Sequence, residues 1–218
     1  MLGVIQARLG STRLPGKVLM EIKGKPLLQY CIERVALACD QVLVLCPSKD
    51  FREIWRACSS RDVEIKGIPG DENDVLMRFI RGVPSSAGQI VRICGDSPLI
   101  DPKVIELLME RRTLYNLQIN SNTRPNTWPA GQCVETFLAR GLHMIDYGNL
   151  KDGDMEHVTP FMYRNWLVGH IKNPEGNFGH ISQVVDTQED FDRIKAVIEK
   201  MERPHTEYGW HEIMELME

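Results

Sequence analysis

The fold of this chain is decided by its first strand and loop, Val4-Ile5-Gln6-Ala7-Arg8-Leu9-Gly10-Ser11-Thr12-Arg13-Leu14-Pro15-Gly16-Lys17. A short apolar run here opens into a loop rich in glycine, serine and cations. The next segment, from Leu27 to Leu37, spaces its apolar residues like a helix, so the loop lies where a buried strand ends. In open α/β sheets ligands bind at that edge. The sequence therefore predicts a binding loop after the first strand.

Three cations lie in this loop, Arg8, Arg13 and Lys17, among small residues whose backbone N–H groups can approach phosphate oxygens closely. Arginine offers a planar fork for two oxygens and lysine a mobile point charge, so the mixture suits a triphosphate chain. A P-loop of the GxxxxGK[ST] type is excluded, because this chain has Ser11 and Val18 where that motif requires Gly and Ser or Thr. A solvated basic turn is the alternative.

The composition narrows the class of protein. The 218 residues suit one globular domain, and the formal net charge is −4 with scattered basic residues. We therefore expect neither a nucleic-acid nor a membrane-surface partner. The six cysteines show no metal-ligand spacing, which favours a reducing cytoplasm over disulfides or structural zinc. No export signal or membrane-spanning apolar stretch is visible, so we predict a cytoplasmic protein.

Short apolar strands alternate with helical patterns through the first half of the chain. Such alternation predicts βαβ units and a mainly parallel α/β sheet with right-handed crossovers. Asp101-Pro102 is typical of a helix start, with Asp101 as the N-cap and proline at the first helical position. The predicted strands cover 3–7, 41–46, 63–66 and 89–93, and the predicted helices cover 26–38, 50–58, 73–82 and 102–112.

The second half is less regular. From about 120 to 177, clusters of Asn, Pro, Trp and Gly replace the alternation, and we interpret this segment as an inserted β-rich lobe with one helix at 155–163. A strand is predicted at 183–185, a helix starting at Thr187 and a last helix near 209–217. Residues 1–218 are therefore predicted to form one domain that carries this small lobe.

Two carboxylates follow predicted strands. Asp96 comes after the apolar run that ends at Gly95, and Asp186 comes after Val184-Val185. Because parallel strands deliver such side chains to the same edge, both carboxylates should face the loop cations. Mg²⁺ takes one or two carboxylates together with phosphate oxygens, so Asp96 and Asp186 are candidate metal ligands. For Asp96 alone, a turn or helix cap is the alternative.

Five ordered motifs, QARLGSTRLPGKVL, GDENDVLMRF, RICGDSPLIDP, EHVTPFMY and VVDTQEDF, resemble the cytidylyltransferase family of CMP-Kdo and CMP-sialic acid synthetases. The chain is most similar to the branch of the spore coat polysaccharide biosynthesis protein F, over nearly its whole length. The resemblance implies the nucleotide-diphospho-sugar transferase fold, a Rossmann-like three-layer α/β/α domain, and a homodimer formed through the inserted lobe. It also implies transfer of CMP from CTP to an acidic sugar, with Mg²⁺ as cofactor and pyrophosphate as product.

The same resemblance assigns site residues. Lys17, Arg13 and Asp96 would be catalytic, and Asp96 and Asp186 would bind the metal. Arg92 would either reach the site or pair with an acid, and a capped helix start is the alternative for the 70–78 segment. The nucleotide-binding candidates are Arg8, Gly10, Ser11, Arg13, Gly16, Lys17, Asp71, Asp74, Arg78 and Arg92.

The acceptor side departs from the family pattern. Gln132, Glu135 and His157 are the acceptor-binding candidates, and a structural hydrogen-bonding role is the alternative for His157. Met155 stands where the family usually has Arg, and Cys133 where it usually has Asp. Both departures concern the acceptor and leave the nucleotide half intact.

Two other functions stay open at this point. A glycosyltransferase that uses a finished nucleotide-sugar would share the fold, but it calls for an Asp-x-Asp motif where this chain has Gly95-Asp96-Ser97. A catalytically silent nucleotide-binding protein of polysaccharide assembly would tolerate the departures on the acceptor side. Pyrophosphate release separates an active transferase from both.

Overall fold

A computed structural model describes residues 1–218 and is built around nine strands. The four strands predicted in the first half are confirmed, with ends that shift by one or two residues. The strands are β1 Leu2–Gln6, β2 Glu21–Ile22, β3 Lys25–Pro26, β4 Gln41–Pro47, β5 Val63–Ile68, β6 Gln89–Cys94, β7 Ile119–Ser121, β8 Glu135–Leu138 and β9 Val168–His170.

Nine α-helices connect or cover these strands, and three short 3₁₀ turns lie at Lys17–Leu19, Tyr147–Asn149 and His205–Glu207. None of the helices is both long and apolar enough to cross a membrane. The helices are α1 Leu27–Ala38, α2 Phe51–Cys58, α3 Val75–Gly82, α4 Pro102–Leu114, α5 Ala139–Leu142, α6 Asp154–His157, α7 Pro160–Asn165, α8 Gln188–Lys200 and α9 Trp210–Met217.

Seven strands form one sheet in the order β5-β4-β1-β6-β8-β7-β9, and β2 pairs with β3 in a separate ribbon. The pairs β5-β4, β4-β1, β1-β6 and β7-β9 are parallel, whereas β8 is antiparallel to both β6 and β7. The mainly parallel α/β sheet is therefore confirmed. The segment 120–177 contributes β8, β9 and the end of β7 to this sheet and carries short helices between them.

The two faces of the sheet bury different residues, because successive side chains of a strand point in opposite directions. Ile5 packs with α1, α2 and α4 on one face, and its neighbour Val4 packs with α3, α5 and α7 on the other. This alternation produces the three-layer α/β/α architecture. A third apolar cluster holds α8 and α9 against Ile22 and Tyr30.

Two predicted elements of the second half are wrong. No strand forms at 183–185, because Val185 lies beyond the end of β6 and its N–H donates to Asp96 O at 3.0 Å, so no ladder develops. The single helix predicted at 155–163 is two helices, α6 and α7, separated at Val158, whose φ is 65°. Pro160 has no N–H to continue α6 and instead opens α7.

Asp101 joins two distant helices. Its Oδ1 accepts from Lys103 N at 2.9 Å as the predicted N-cap of α4, and its Oδ2 accepts from Trp210 N at 2.8 Å at the start of α9. We expect Asp101→Ala to lower the free energy of unfolding by about 2–3 kcal/mol, as the cap is lost and a buried N–H is left unpaired. Urea unfolding measures this, with Asp101→Asn as the partial-rescue control. A loss below about 0.5 kcal/mol would contradict the dual role.

His205 makes the stability depend on pH. Burial lowers the pKa of His205, although its hydrogen bond to Glu33 Oε2 at 2.7 Å opposes this; Lys25 and Arg34 add to the lowering. A pKa that is lower in the folded state means that the unfolded state binds the proton more readily. The contribution of neutral His205 to the free energy of unfolding is therefore fully present above the unfolded pKa, about 6.5. It decreases as the pH falls below that value. We expect urea midpoints between about pH 8 and pH 5 to fall less for His205→Gln than for the wild type. Parallel curves would contradict this.

Candidate active site

A cleft of about 330 Å³ opens at the carboxyl edge of the sheet, where β1 and β6 end. It is bordered by the loop after β1 and by the first residues of α3 and the last residues of α6. Cations outnumber carboxylates in its wall, which suits an anionic ligand. The charged residues that line it are Arg8, Arg13, Lys17, Arg78, Arg92, Asp96, Glu156 and Asp186.

The loop after β1 is held in shape by its backbone. Gly16 N donates to Leu9 O at 2.9 Å, and Leu9 N donates to Asp50 Oδ2 at 2.9 Å. Gly16 has a φ of 71°, a conformation that favours glycine, and it leads directly into the 3₁₀ turn that begins with Lys17. Ser11 also lines the cleft, while Gly10 lies in the same loop outside the lining. The fixed loop thus directs its cations inward.

Lys17 lies between two carboxylates. Its Nζ is 2.8 Å from Asp96 Oδ2 and 2.7 Å from Asp186 Oδ1, and Arg13 Nη2 is 2.9 Å from Asp186 Oδ2. Burial works to lower the pKa of the Lys17 ammonium, but the two carboxylates outweigh it and raise the pKa above its ordinary value. Lys17 therefore stays protonated. The structure brings the loop together with Asp96, which follows β6, and with Asp186, which lies beside Asp96 because Val185 N donates to Asp96 O at 3.0 Å.

Asp96 and Asp186 also fit a divalent metal ion. Both carboxylates contact the Lys17 ammonium, so they already share one cation. No group of three or more His, Cys, Asp or Glu residues could hold a metal on its own. A site of two carboxylates completed by substrate phosphates and water is the arrangement that Mg²⁺ prefers, because it dehydrates reluctantly.

Two further arginines line the cleft, Arg8 from the loop after β1 and Arg78 from α3. Arg8 donates to Asn73 Oδ1 at 2.6 Å, and its Nη2 is 3.9 Å from Glu156 Oε1 of α6. Arg78 is buried on α3 and donates to the backbone carbonyl of Glu72 at 2.8 Å. Its charge has no carboxylate partner within ion-pair distance, so it is available to a bound anion.

The structure does not bring Asp71 and Asp74 into the cleft. Asp74 Oδ1 accepts from Met77 N at 3.0 Å as the N-cap of α3, and Asp71 Oδ1 accepts from Asn73 N at 2.8 Å in the preceding turn. The capped helix start is therefore the geometry observed. The two carboxylates order the segment that presents Arg78 and Asn73.

The three acceptor candidates occupy different places. His157 lines the cleft at the end of α6. Gln132 does not reach the cleft; it is fully buried, where it accepts from Asp101 N at 2.7 Å and donates to Leu99 O at 2.9 Å. Glu135 is also buried and forms an ion pair with Arg92, which itself lines the cleft. Arg92 thus does both things that the sequence left open.

Several residues of the site were missed by the sequence reasoning. Gln6, Cys94 and Glu156 line the cleft, and each belongs to a motif already recognised, within two residues of a predicted site residue. Asp50 had been seen only as a helix start, yet its side chain secures the loop through Leu9 N. Its distance of 41 residues from that loop left no local signal.

The protein has a three-layer α/β/α architecture, with a cationic loop and paired carboxylates at the carboxyl edge of its sheet. These features define an α/β protein that binds a phosphorylated nucleotide. Comparison with known families makes this assignment specific. The family model for cytidylyltransferases matches residues 2–205. The chain belongs to the cytidylyltransferase family and is a nucleotidyltransferase.

Individual relatives agree with the predicted branch. The chain is 31% identical over 227 residues to the spore coat polysaccharide biosynthesis protein SpsF of Bacillus subtilis, covering 94% of this chain and 89% of that protein. It is 36% identical over 107 residues to the 3-deoxy-manno-octulosonate cytidylyltransferase of Solibacter usitatus, covering 49% and 42% of the two chains. A solved cytidylyltransferase from Leptospira borgpetersenii superposes with a TM-score of 0.85 at 26% identity, covering 99% and 92%. The predicted family resemblance is confirmed.

Proposed function

We propose that this protein transfers CMP from CTP to an acidic sugar, with Mg²⁺ as cofactor and pyrophosphate as the second product, in the synthesis of surface polysaccharide precursors. The observation that carries the proposal is Lys17 held at 2.8 and 2.7 Å between Asp96 and Asp186, at the end of the cationic loop. The names of the relatives support the nucleotide and the pathway class.

In this reaction a hydroxyl oxygen of the acceptor forms a bond to the α-phosphorus of CTP. The bond from that phosphorus to the pyrophosphate oxygen breaks, and the hydroxyl proton passes to solvent. Lys17 and Arg13 offset the negative charge that develops on the phosphate oxygens, in positions fixed before the substrate arrives. Mg²⁺ held by Asp96 and Asp186 would supply Lewis acidity and a lower pKa for the attacking hydroxyl.

We assign the remaining cleft residues either to the nucleotide or to the acceptor. Arg8 and Arg78 border the nucleotide side, beside the loop and the start of α3. His157 and Glu156 border the cleft at the end of α6, where Glu156 Oε1 is 3.9 Å from Arg8 Nη2. His157 can orient an acceptor hydroxyl through a ring nitrogen, and we assign it to acceptor binding on that ground.

We also propose a homodimer that uses the segment 120–177. Three large apolar side chains of that segment, Met144, Tyr147 and Leu167, are more than half exposed. Such surfaces commonly mark protein contacts. Sedimentation velocity should give a dimer mass that Met144→Lys shifts toward the monomer; a wild-type monomer would contradict the proposal.

The proposed function is tested by pyrophosphate release from CTP with Mg²⁺ across a panel of acidic sugars, sugar phosphates and neutral sugars. We expect release with at least one acidic member and none with neutral ones. CTP binding without release from any acceptor would instead support a silent nucleotide-binding protein. Transfer of sugar from a finished nucleotide-sugar would support a glycosyltransferase.

A further inference from the structure

Arg92 forms the floor of the cleft on the α6 side. It follows Ile90 on β6 and pairs in register with Val4 of β1 and Glu135 of β8, so its side chain lies on the sheet face covered by α3 and α7. Its side chain is only 13% exposed, and that exposed part lines the cleft. An arginine this enclosed is costly to bury unless its donors are matched.

A set of partners fixes the guanidinium. Arg92 Nε donates to Gln6 Oε1 at 3.0 Å, and Nη1 donates to Glu135 Oε2. Glu135 is in turn held through Oε1, which accepts from Thr159 Oγ1 at 2.8 Å and from the Tyr163 hydroxyl. The carboxylate therefore has one lasting orientation, and so does the arginine that it binds.

One part of Arg92 has no partner in the protein. Nε and Nη1 are matched, whereas Nη2 makes no hydrogen bond and is not sealed in the interior. Burial raises the pKa of the Cys133 thiol, so this thiol adds no negative charge. Glu135 is the only carboxylate paired with Arg92. The free Nη2 donors face the cleft in a poorly hydrated setting, where they bind an anion strongly.

The partners of Arg92 belong to the acceptor half of the cleft. Glu135 comes from β8, Thr159 directly precedes α7 and Tyr163 lies in α7, the helix that follows His157, whereas the loop cations follow β1 and Arg78 comes from α3. Lys17, Asp96 and Asp186 line the same cleft as Arg92. Arg92 is thus placed to meet the molecule that approaches the α-phosphorus from the α6 side.

We propose that Arg92 binds the anionic group of the acceptor through Nη2, and that Glu135, steadied by Tyr163, is a positioning residue that does not touch substrate. This inference rests on the proposed transfer to an acidic sugar. It replaces two expectations from the sequence, which placed Arg92 beside the nucleotide and Glu135 in contact with the acceptor. Because the anion is read by one rigid donor pair, the acid should bind better than its uncharged ester.

The test compares Michaelis constants for CTP and for acceptor in a pyrophosphate-release assay. The probes are N-acetylneuraminate, 3-deoxy-manno-octulosonate and glucose 1-phosphate, and the one with the fastest release is used for the variants. We expect Arg92→Met to raise the acceptor KM by roughly tenfold or more and to leave the CTP KM within about twofold. For a carboxylate probe, the wild type should bind the acid better than its methyl ester. Arg92→Met should lose this preference for the acid.

Glu135→Gln and Tyr163→Phe test the positioning role. Both should raise the acceptor KM, Glu135→Gln more than Tyr163→Phe, while Glu135→Asp should recover part of the loss. Arg78→Met is the matched control and should raise the CTP KM instead. If Glu135 and Tyr163 were merely structural, their variants would lower kcat, and the acceptor KM would change no more than the CTP KM.

The outcomes separate the two proposals. Release with an acidic probe, combined with an unchanged acceptor KM in Arg92→Met, overturns this inference and leaves the proposed function standing. A raised CTP KM in Arg92→Met with no change for the acceptor returns Arg92 to the nucleotide side. No release with any of the three probes contradicts both proposals, since there is then no acidic acceptor for Arg92 to bind.

Discussion

Asp96→Asn is expected to lower the rate of pyrophosphate release by roughly 1,000-fold or more, equal to about 4 kcal/mol in the barrier. Asparagine keeps the shape of the side chain but removes the charge that faces Lys17 at 2.8 Å. The variant loses one of two carboxylates available to Mg²⁺ and leaves the Lys17 ammonium with a single close partner, Asp186. Steady-state assays at saturating Mg²⁺ and CTP measure the loss.

The fold should survive this change, because Asp96 is partly exposed and its side chain caps no helix. Circular dichroism and the urea midpoint therefore serve as checks. Asp62→Asn, which removes an exposed carboxylate in the turn before β5, is the matched control and should keep full activity. Near-normal turnover of Asp96→Asn would remove Asp96 from the catalytic machinery.

Lys17→Met is expected to lower kcat by roughly 100- to 1,000-fold, the usual cost of losing one preorganised donor to developing charge. Methionine fills the same space without an ammonium, so the packing of the 3₁₀ turn is preserved. A second readout is specific to the geometry. Since Lys17 lies between Asp96 and Asp186, its removal leaves two unpaired carboxylates, and Mn²⁺ should bind the nucleotide-free variant roughly tenfold more tightly than the wild type.

Electron paramagnetic resonance of free Mn²⁺ measures that binding, and Lys17→Met combined with Asp96→Asn should abolish the gain. Lys195→Met, which removes only an exposed helix pair at 3.9 Å, is the control for loss of a lysine charge. Turnover of Lys17→Met within about threefold of the wild type would show that the ammonium does not act on the phosphates.

The strands and helices of the first half of the chain could be predicted because their signals are local. The apolar run Val42–Cys46 is long enough to be a buried strand, and Asp101-Pro102 marks a helix start without reference to anything distant. The meeting of Lys17 and Asp96 also followed from one rule about the edge of a parallel sheet. Asp186 joins them without a strand of its own, because Val185 N donates to Asp96 O. Their catalytic roles stay predictions.

The acceptor half depends on contacts between distant residues, and the sequence could not supply them. Arg92 and Glu135 face each other because β6 and β8 are antiparallel, in a register that no local pattern reveals. Gln132 has the composition of a polar binding residue, yet it satisfies the buried backbone at Leu99 and Asp101. The Val184-Val185 pair has the pattern of a strand but finds only the carbonyl of Asp96 to bond.

The central claim is that the cleft directs attack on the α-phosphorus of CTP. The most direct test supplies the wild-type enzyme, Mg²⁺ and the acidic sugar panel with CTP labelled with ³²P at either the α or the γ position. We predict that the α label enters the sugar product and the γ label leaves as pyrophosphate, and that Asp96→Asn stops both. Label from the γ position in the sugar, or no α label in any sugar, would contradict the account.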